Sequence, residues 1–501
     1  MRGIPSLITD IRKKVFTEVA RMAYSGEGYA AAEELPYIIV PGDQPLHRES
    51  VFLERAIASE RVRLAMGLNL RPIQTRHLMT EGMDAAAIAE QYYEPPLINI
   101  IPYACHACPT NQYRVTENCQ NCLAASCQQV CPRGAISFVN GKSRIDQDKC
   151  IKCGKCASAC PYNAIIHMER PCQAACGMDA IGSDEHGRAV INQTKCVSCG
   201  QCLVSCPFGA IADKGQIFQL IQSILKGDQV IAIVAPAYVG QFGKHATPEK
   251  FVAAMKELGF DRCVEVAVGA DMCTIEEAKD FLEKVPAEQP FMATSCCPAW
   301  HSMVHKLFPA QSKNISMTLT PMVFTARLMK KKYPGCKVVF VGPCAAKKLE
   351  AIRADIRSDV DFVLTFEELQ GMFEAKEVNF ETIEPCEILN EGTAAGRGFA
   401  VSGGVAQAVT DLIHETNPEV EVKTARAEGL RECRKLMTLA KVGKYNGYLL
   451  EGMACPGGCV AGAGTLLPVE LAAKVVCKYQ DESAQTSPLE SPYRDTGHNL
   501  D

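Results

Sequence analysis

Three short cysteine-bearing stretches in the second half of the chain are the residues best suited to chemistry. They are residues 293–300 (ATSCCPAW), 342–350 (GPCAAKKLE) and 451–459 (EGMACPGGC). Each follows an apolar, strand-like run and places a thiol at a turn of Gly, Pro or small residues. Because thiolates are soft metal ligands, this placement predicts a buried metal centre built from distant parts of the chain.

Sixteen further cysteines between Cys105 and Cys206 form an internal repeat. Four times the chain shows Cys, three residues, Cys, three residues and Ala-Ile, ending at residues 136, 165, 181 and 211. Each repeat resembles half of a bacterial ferredoxin, in which three cysteines of one half and the last cysteine of the other bind each cluster. Two halves are complete, one has an extra residue, and the half at Cys172 lacks its leading pair.

Cys105 and Cys108 are the unclaimed pair, so we expect one ferredoxin unit, 119–160, to be inserted within another made of 105–108 and 172–206. Turn signals at Asn140-Gly141 and His186-Gly187 favour this pairing. It predicts four 4Fe-4S clusters, bound by Cys119, Cys122, Cys127 and Cys160; by Cys150, Cys153, Cys156 and Cys131; by Cys196, Cys199, Cys202 and Cys176; and by Cys105, Cys108, Cys172 and Cys206. Zinc fits less well, because its sites usually come as two separated Cys-x-x-Cys pairs. His106 is interpreted as a bystander.

Other elements must position these thiols. Residues 1–100 carry no cysteine, and helical spacing over 51–68 predicts a small, mainly helical domain for packing or docking. Residues 101–214 hold the nested ferredoxin-like units, of α+β class. Residues 215–480 alternate strands and helices, which predicts an α/β domain with mainly parallel sheets in two lobes around a buried cluster. The polar tail, 481–501, is predicted to be disordered.

Specific strands and helices are predicted within the α/β part. Short buried strands are expected at 229–235, 291–294, 337–341, 362–365 and 447–450, with a helix at 248–258. Each of the three cysteine-bearing stretches would follow such a strand.

Composition excludes several classes of protein. The net charge of −5 points neither to nucleic acid nor to an anionic membrane surface. The first residues lack the apolar core of a signal peptide, and no apolar run approaches about 18 residues. We therefore expect a cytoplasmic protein, where 27 cysteines indicate metal binding rather than disulfides.

Together, the three stretches resemble the signature motifs of the iron-only (FeFe) hydrogenases over residues 225–475. The resemblance implies a further 4Fe-4S cluster bound by Cys297, Cys344, Cys455 and Cys459. It also implies that Cys459 bridges this cluster to a two-iron subsite, which carries carbon monoxide, cyanide and a bridging dithiolate that contains an amine. The 4Fe-4S cluster and the two-iron subsite together form the H-cluster. Dedicated maturation enzymes would install that subsite.

The same resemblance implies roles for residues around the subsite. Cys296 matches the thiol that exchanges protons with the bridgehead amine. Lys347 matches the lysine that hydrogen-bonds a cyanide ligand, and Glu350 completes its motif. Met453 and the stretch Ala235, Pro236 and Ala237 match residues that line the pocket. The alternatives are a buried structural thiol for Cys296 and core packing for Met453 and Pro236.

A proton route is also implied, running from Cys296 through Glu277, Ser316 and Asp280, with Lys284 near the surface. Glu277 and Asp280 are three residues apart and share a helix face. A solvated helix face is the alternative for Asp280 and Lys284.

Three departures from the common pattern suggest a less-studied branch. Gly342 replaces a methionine, residues 319–322 (LTPM) replace Lys-Ser-Pro-Gln, and residues 461–465 (AGAGT) replace a Gly-rich Gln-Pro ending. They bear on rate and on the hydrogen bonds around the site. Six cysteines match no motif and are interpreted as buried apolar thiols: Cys263, Cys273, Cys336, Cys386, Cys433 and Cys477.

The sequence therefore favours a hydrogenase that interconverts H2 with protons and electrons. No strand-GxGxxG-helix segment is evident, so ferredoxin or flavodoxin is the expected electron carrier. The alternatives are a hydrogen-sensing regulatory protein and an iron-sulfur scaffold or assembly protein without the two-iron subsite. Cys296 and the absence of an evident signalling domain argue against the first alternative, and Lys347, Met453 and Cys296 against the second.

Overall fold

The computed structural model describes residues 3–86, 93–386, 389, 391–497 and 500. The N-terminal helices are α1 (Leu7–Tyr24), α2 (Leu35–Ile39), α3 (Val51–Ala65) and α4 (Met83–Ala86). Ser6 caps the start of helix α1: Ser6 and Thr9 form a capping box, in which each side chain accepts from the backbone N–H of the other. Helix α3 lies within the predicted helix 51–68. No helix in the described ranges is long and apolar enough to cross a membrane.

Short strands and helices surround the repeated cysteines. The strands are β1 (Ile98–Ile100), β2 (Gln112–Val115), β3 (Ile136–Val139), β4 (Lys142–Ile145), β5 (Ile165–Met168), β6 (Ile181–Ser183), β7 (Ala189–Ile191) and β8 (Ile211–Asp213). The helices are α5 (Ser126–Gln129), α6 (Lys155–Ser158), α7 (Pro171–Ala174) and α8 (Gln201–Ser205).

The antiparallel pairing of these strands is concentric. Strand β1 pairs with β8, and inside them β2 pairs with β5. The outer pair, β1 and β8, also encloses the hairpin β6–β7. The inner pair, β2 and β5, encloses the hairpin β3–β4. Both hairpins turn at the predicted Asn-Gly and His-Gly positions.

The remaining chain alternates strands and helices. Its strands are β9 (Val230–Val234), β10 (Arg262–Glu265), β11 (Met292–Ala293), β12 (Lys337–Gly342), β13 (Phe362–Thr365), β14 (Lys423–Glu428) and β15 (Tyr448–Met453). Its helices are α9 (Ile217–Leu225), α10 (Pro248–Glu257), α11 (Ala267–Lys284), α12 (Pro298–Leu307), α13 (Pro321–Lys332), α14 (Ala346–Ala351), α15 (Phe366–Ala375), α16 (Ala394–Gly398), α17 (Gly404–Thr416), α18 (Leu430–Lys441) and α19 (Val469–Asp481).

Two parallel sheets organise this part, in the strand orders β10-β9-β12-β13 and β11-β15-β14. All their pairings are parallel, which confirms the prediction of a mixed α/β fold with parallel sheets. The five predicted strands and the predicted helix at 248–258 are present with small shifts at their ends. Strands β10 and β14 were not predicted.

The N-terminal helices share a core with the four-stranded sheet. Val19 of α1, Phe218 of α9 and Leu369 of α15 belong to one cluster of buried side chains. A buried ionic group ties α1 to the same region: Arg12 Nη2 lies 3.2 Å from Asp213 Oδ1 and 2.6 Å from Glu367 Oε2. Lys348 Nζ joins it, at 2.7 Å from Asp213 Oδ2 and 2.9 Å from Glu368 Oε1. The domain boundaries at residues 100, 214 and 480 stay predictions.

The polar tail is ordered over the residues that the structure describes, contrary to the predicted disorder. Ala394 N donates to Gln485 O at 2.8 Å, and Tyr493 Oη donates to Glu391 Oε2 at 3.0 Å. Leu500 is buried, and its carbonyl accepts from Arg327 Nη1 at 2.6 Å. The polar composition led to a wrong prediction because the polar groups of the tail form hydrogen bonds with the rest of the protein.

Candidate metal centre

The three cysteine-bearing stretches follow carboxyl ends of parallel strands. Cys296 and Cys297 follow β11, Cys344 follows β12, and Cys455 follows β15. Functional sites gather at these ends in parallel sheets. Pro298 starts α12 directly after Cys297, where its missing N–H costs nothing.

Trp300 and Gly452 bring the first and third stretches together. A Cβ on Gly452 would lie 2.2 Å from Cδ2 of the Trp300 ring. Trp300 is fully buried, and its Nε1 donates to Thr294 O at 3.1 Å. The indole therefore requires glycine two residues before the turn that carries Cys455.

Four half-buried thiols converge at these strand ends. Burial and the neighbouring Cys455 and Cys297 raise the pKa of Cys344 to about 12, and burial with Cys344 and Cys297 raises the pKa of Cys459 to about 12. Such crowded thiols cannot all ionise without a positive charge among them. An all-sulfur donor set of this kind suits iron-sulfur clusters or zinc, so the residues fit a bound metal cluster. In the described part of the chain, no three His, Cys, Asp or Glu side chains are close enough to hold a single metal ion.

Backbone and side-chain donors surround these sulfurs. Burial raises the pKa of Cys297, while the N–H groups of Ala454 and Trp300 favour its thiolate. Gln201 Nε2, from the ferredoxin-like part, donates to Cys455 Sγ at 3.3 Å. Hydrogen bonds of this kind tune the potential of an iron-sulfur cluster.

Cys296 lies beside a buried carboxyl group. Burial, followed by the charges of Glu277 and Cys297, raises the pKa of Cys296 well above its usual range, so the thiol keeps its proton. Burial also raises the pKa of Glu277 to about 7, although hydrogen bonds from Ser295 and Ser316 oppose that shift. Ser295 N and Oγ donate to Glu277 Oε1 at 3.0 and 3.2 Å. A protonated thiol and a carboxyl of near-neutral pKa therefore stand together.

Lys347 is a buried cation next to the same thiols. Its Nζ lies 2.6 Å from Glu350 Oε2 and 3.2 Å from Thr320 Oγ1. Thr320 Oγ1 donates in turn to Glu350 Oε1 at 2.6 Å. Burial lowers the pKa of Lys347, but the Glu350 carboxylate and the sulfurs of Cys344 and Cys296 outweigh burial and raise it. The ammonium is therefore held charged near the centre.

Apolar residues close the remaining sides. Met453, at the end of β15, packs in one cluster with Ala235, Cys296 and Cys297. Pro236 and Ala237 follow in a buried turn. Gly342 lies against this wall, where a Cβ would meet the Phe340 ring at 2.6 Å. The departure from methionine at Gly342 is thus accompanied by an aromatic ring two residues earlier on the same strand face.

The outer part of the expected proton route is only partly assembled. Glu277 and Asp280 lie on α11, as expected, and Lys284 Nζ pairs with Asp280 Oδ2 at 2.9 Å. Both partners are partly exposed. Among the described residues, no hydrogen bond joins Ser316 to Asp280.

The repeated cysteines gather in groups. One cavity is lined by Cys105, Cys108, Cys172 and Cys206, and another by Cys176, Cys196, Cys199 and Cys202. In the inner unit, Cys127, Cys131, Cys156 and Cys160 share one apolar cluster. Backbone N–H groups donate to the sulfurs of Cys119, Cys131, Cys150 and Cys160 at 3.3–3.4 Å. Cys122 and Cys153 are half-buried and exposed, respectively.

The repeats also share backbone geometry. The residue before the second cysteine of each Cys-x-x-Cys loop has a positive φ: Ala107 (45°), Asn121 (48°), Lys152 (59°) and Ser198 (53°). Non-glycine residues seldom adopt this conformation. The loop of Cys105 and Cys108 therefore has the backbone of a leading ferredoxin pair. His106 stacks on Phe208 with ring centroids 4.1 Å apart.

Several contributors escaped the sequence prediction. Thr320, Gln201 and Ser295 act across long sequence separations, which spacing does not reveal. Cys273, fully buried on α11, lies one turn before Glu277 and interacts with it and with Ser295; its helical spacing was a usable signal. The prediction that all six unassigned cysteines are buried was wrong for Cys386 and Cys477, which are exposed, and Cys263 is only half-buried. Cys477 lies on the exposed face of helix α19, whose other face is buried, and Cys386 lies in a loop.

Comparison with known proteins finds matches to the α/β part and to the ferredoxin-like part of the chain. Residues 228–463 match the family model of the iron only hydrogenase large subunit, C-terminal domain. Residues 143–166 match a 4Fe-4S binding domain, and residues 166–217 match the LdpA Fe-S cluster-binding domain. The structure of FeFe-hydrogenase HydA1 from Chlamydomonas reinhardtii aligns with 55% of this chain and 94% of that chain, at 21% identity and a TM-score of 0.45.

Curated relatives fall into two groups. Iron hydrogenase 1 of Clostridium pasteurianum is 28% identical over 428 residues, covering 74% of this chain and 73% of the relative. The periplasmic Fe hydrogenase large subunit of Nitratidesulfovibrio vulgaris is 28% identical over 49% of this chain and 70% of its own length. A probable cytosolic Fe-S cluster assembly factor of Aedes aegypti is 28% identical over 48% of this chain and 60% of its own length. The relatives that this chain resembles therefore include both hydrogenases and iron-sulfur assembly factors.

Proposed function

We propose that the protein is an iron-only hydrogenase that interconverts H2 with protons and electrons. One observation carries the proposal: the buried thiol of Cys296 lies near both Cys297 and Cys459 and near the buried carboxyl of Glu277, and burial keeps its proton in place by raising its pKa. A scaffold for an iron-sulfur cluster needs the four ligands but has no use for a thiol and a carboxyl of near-neutral pKa beside them.

Cys297, Cys344, Cys455 and Cys459 would hold the 4Fe-4S part of the H-cluster, with Cys459 also bridging to the two-iron subsite. When bound, that subsite supplies an open metal position and a base for heterolytic cleavage of H2. Lys347 is positioned by Glu350 and Thr320 to donate to an anionic ligand. Met453, Ala235, Pro236 and Ala237 would exclude water from the same pocket.

The proton route begins at Cys296. Its raised pKa keeps a proton on Sγ for donation, and the Glu277 pKa of about 7 lets that carboxyl gain and lose a proton near neutral pH. Ser316, whose side chain favours the Glu277 carboxylate, comes next. Asp280 and Lys284 are kept as the proposed exit to solvent.

Electrons would travel through four accessory 4Fe-4S clusters to ferredoxin or flavodoxin. The concentric strand pairs, the shared φ values and the two cysteine-lined cavities support the nested assignment. The cavity of Cys196, Cys199 and Cys202 adjoins the catalytic centre, since a Cβ on Gly200 would meet Ala463 at 2.4 Å and Ala345 at 3.3 Å. Maturation enzymes would supply the two-iron subsite, and the cytoplasm is the proposed location.

An iron-sulfur assembly or scaffold role is the second candidate. It is favoured by the relatives named as assembly factors, which align with about half of this chain. In that case the four converging cysteines would hold a cluster without a two-iron subsite.

Hydrogen production from reduced methyl viologen separates the two candidates. Protein produced anaerobically together with the maturation enzymes should evolve H2, and the same protein produced without them should not. Equal iron-sulfur content in both preparations is the control. No turnover after verified maturation would favour the scaffold role.

A further inference from the structure

The inserted unit, defined here as residues 112–168, leaves apolar side chains in solvent next to proposed cluster ligands. Ile151, beside Cys150, is 58% exposed, and Leu123, beside Cys122, is fully exposed. Cys153 is itself exposed. A protein that covered these side chains would bury apolar surface directly beside the cluster ligands.

The outer repeat shows what the same face does when it has a partner. Residues 149–155 (KCIKCGK) and 195–201 (KCVSCGQ) are matching segments of the two units. Val197, the counterpart of Ile151, is only 1% exposed because it packs in the cluster that contains Trp300 and Leu430 of the α/β part. The outer repeat therefore uses this face to contact the protein with which it would exchange electrons.

Two matched positions differ in charge. Ser198 of the outer repeat is buried, and Gln201 donates to Cys455 Sγ of the α/β part at 3.3 Å. Their counterparts in the inserted unit are Lys152 and Lys155, both exposed. The face that is buried in one unit is thus open and basic in the other.

The inserted unit as a whole is basic. Residues 112–168 contain seven Lys or Arg and three Asp or Glu, a net charge of +4, whereas the whole chain carries −5. The surface of the unit is therefore complementary to an acidic protein, and such complementarity raises association rates.

We propose that the face formed by Ile151, Lys152 and Lys155 docks an acidic electron-carrier protein of the ferredoxin type. The proposal rests on the proposed function, because it places the entry point of the electron path on this unit. The insertion leaves the chain after Cys108 and returns before Cys172, and both thiols line one cavity. The second cavity, lined by Cys199 and Cys202, adjoins the proposed catalytic centre at Gly200.

Binding of a purified ferredoxin to the full chain tests this face. The probe is a bacterial ferredoxin with two 4Fe-4S clusters and a strongly negative net charge, measured by biolayer interferometry under anaerobic conditions. Measurements at about 0.02 M and about 0.5 M salt span the range in which screening removes long-range attraction. We expect binding at low salt and at least a tenfold loss at high salt, about the scale of electrostatic steering.

The Lys152→Ser/Lys155→Gln variant installs the residues of the outer repeat. Ser198 has a φ of 53° and Lys152 one of 59°, so serine can adopt the required backbone. We expect about a tenfold loss of affinity at low salt and a weaker salt dependence. Ile151→Ser should weaken binding while keeping the salt dependence. Lys423→Glu/Lys441→Glu, on exposed residues of the α/β part, is the control and should stay within about twofold of wild type.

Unchanged affinity in the Lys152→Ser/Lys155→Gln variant, with unchanged iron content and visible spectrum, would overturn the proposal. Equal losses in the control would overturn it too, because they would reflect net charge alone. Sedimentation that shows a dimer dissociated by the Ile151 substitution would assign the face to a second copy of this chain. Methyl viologen turnover tests the proposed function separately, so lysine-dependent binding without turnover would leave the docking face standing and the hydrogenase assignment refuted.

Discussion

Replacing Gly452 with alanine tests how the first and third cysteine-bearing stretches are held together. The new Cβ would lie 2.2, 2.4 and 2.5 Å from three ring atoms of Trp300, well inside the normal contact distance of about 3.5–4.0 Å. Overpacking of a rigid core costs about 3 kcal/mol at the upper end of its range. Moving the ring would also break its hydrogen bond to Thr294 O, worth about 1 kcal/mol. We therefore expect Gly452→Ala to lower the free energy of unfolding by about 4 kcal/mol.

Denaturant unfolding followed by far-UV circular dichroism measures this change. Gly182→Ala is the matched control, because Gly182 also lies in a strand and a Cβ there meets nothing within 4 Å. The control should change stability by less than about 0.5 kcal/mol. Because a smaller ring makes room for the methyl group, Trp300→Phe/Gly452→Ala should be less destabilised than the sum of the single variants by at least about 1 kcal/mol. A neutral Gly452→Ala variant, or strict additivity, would refute the argument.

Three further perturbations have definite expected outcomes. Cys296→Ala should abolish nearly all hydrogen production while retaining the full iron content, and undiminished production would remove Cys296 from the proton route. Lys348→Met leaves the Glu368 carboxylate buried without its cation, while Asp213 keeps Arg12, so thermal unfolding should show a loss of about 3 kcal/mol, the lower end of the range for a broken buried pair; a neutral variant would contradict this argument. Burial raises the pKa of Asp271 to about 7, so its stabilising contribution is complete below about pH 4 and lost as pH rises to about 7. Asp271→Asn should therefore flatten the fall in unfolding free energy between these pH values, and an unchanged slope would contradict the assignment.

The strands that carry the site were predictable because they are continuous apolar runs. Lys337–Gly342 and Val230–Val234 are buried along nearly their whole length, and such runs are typical of parallel sheets with both faces covered. Strands β10 and β14 escaped prediction because both lie at sheet edges and carry charged residues. Their sequences, RCVE and KTARAE, have too few apolar residues for a strand to be predicted.

The cysteine groups could be predicted from spacing because each repeat places its cysteines at the same intervals in the same local structure. Spacing could not reveal Thr320 between Lys347 and Glu350, or Gln201 beside Cys455, since these contacts depend on how separate segments pack. The exposure of Cys386 and Cys477 likewise could not be predicted from spacing. The bound clusters and the roles of Cys296 and Lys347 stay proposals that rest on chemistry as well as on geometry.

Infrared spectroscopy of anaerobically matured protein tests the central claim most directly. Carbon monoxide and cyanide bound to iron absorb in a window where protein and water absorb little. The hydrogenase proposal predicts bands of both ligands that shift when H2 is added and that are missing from protein made without the maturation enzymes. An absence of these bands after verified maturation, with the iron-sulfur clusters intact, would contradict it.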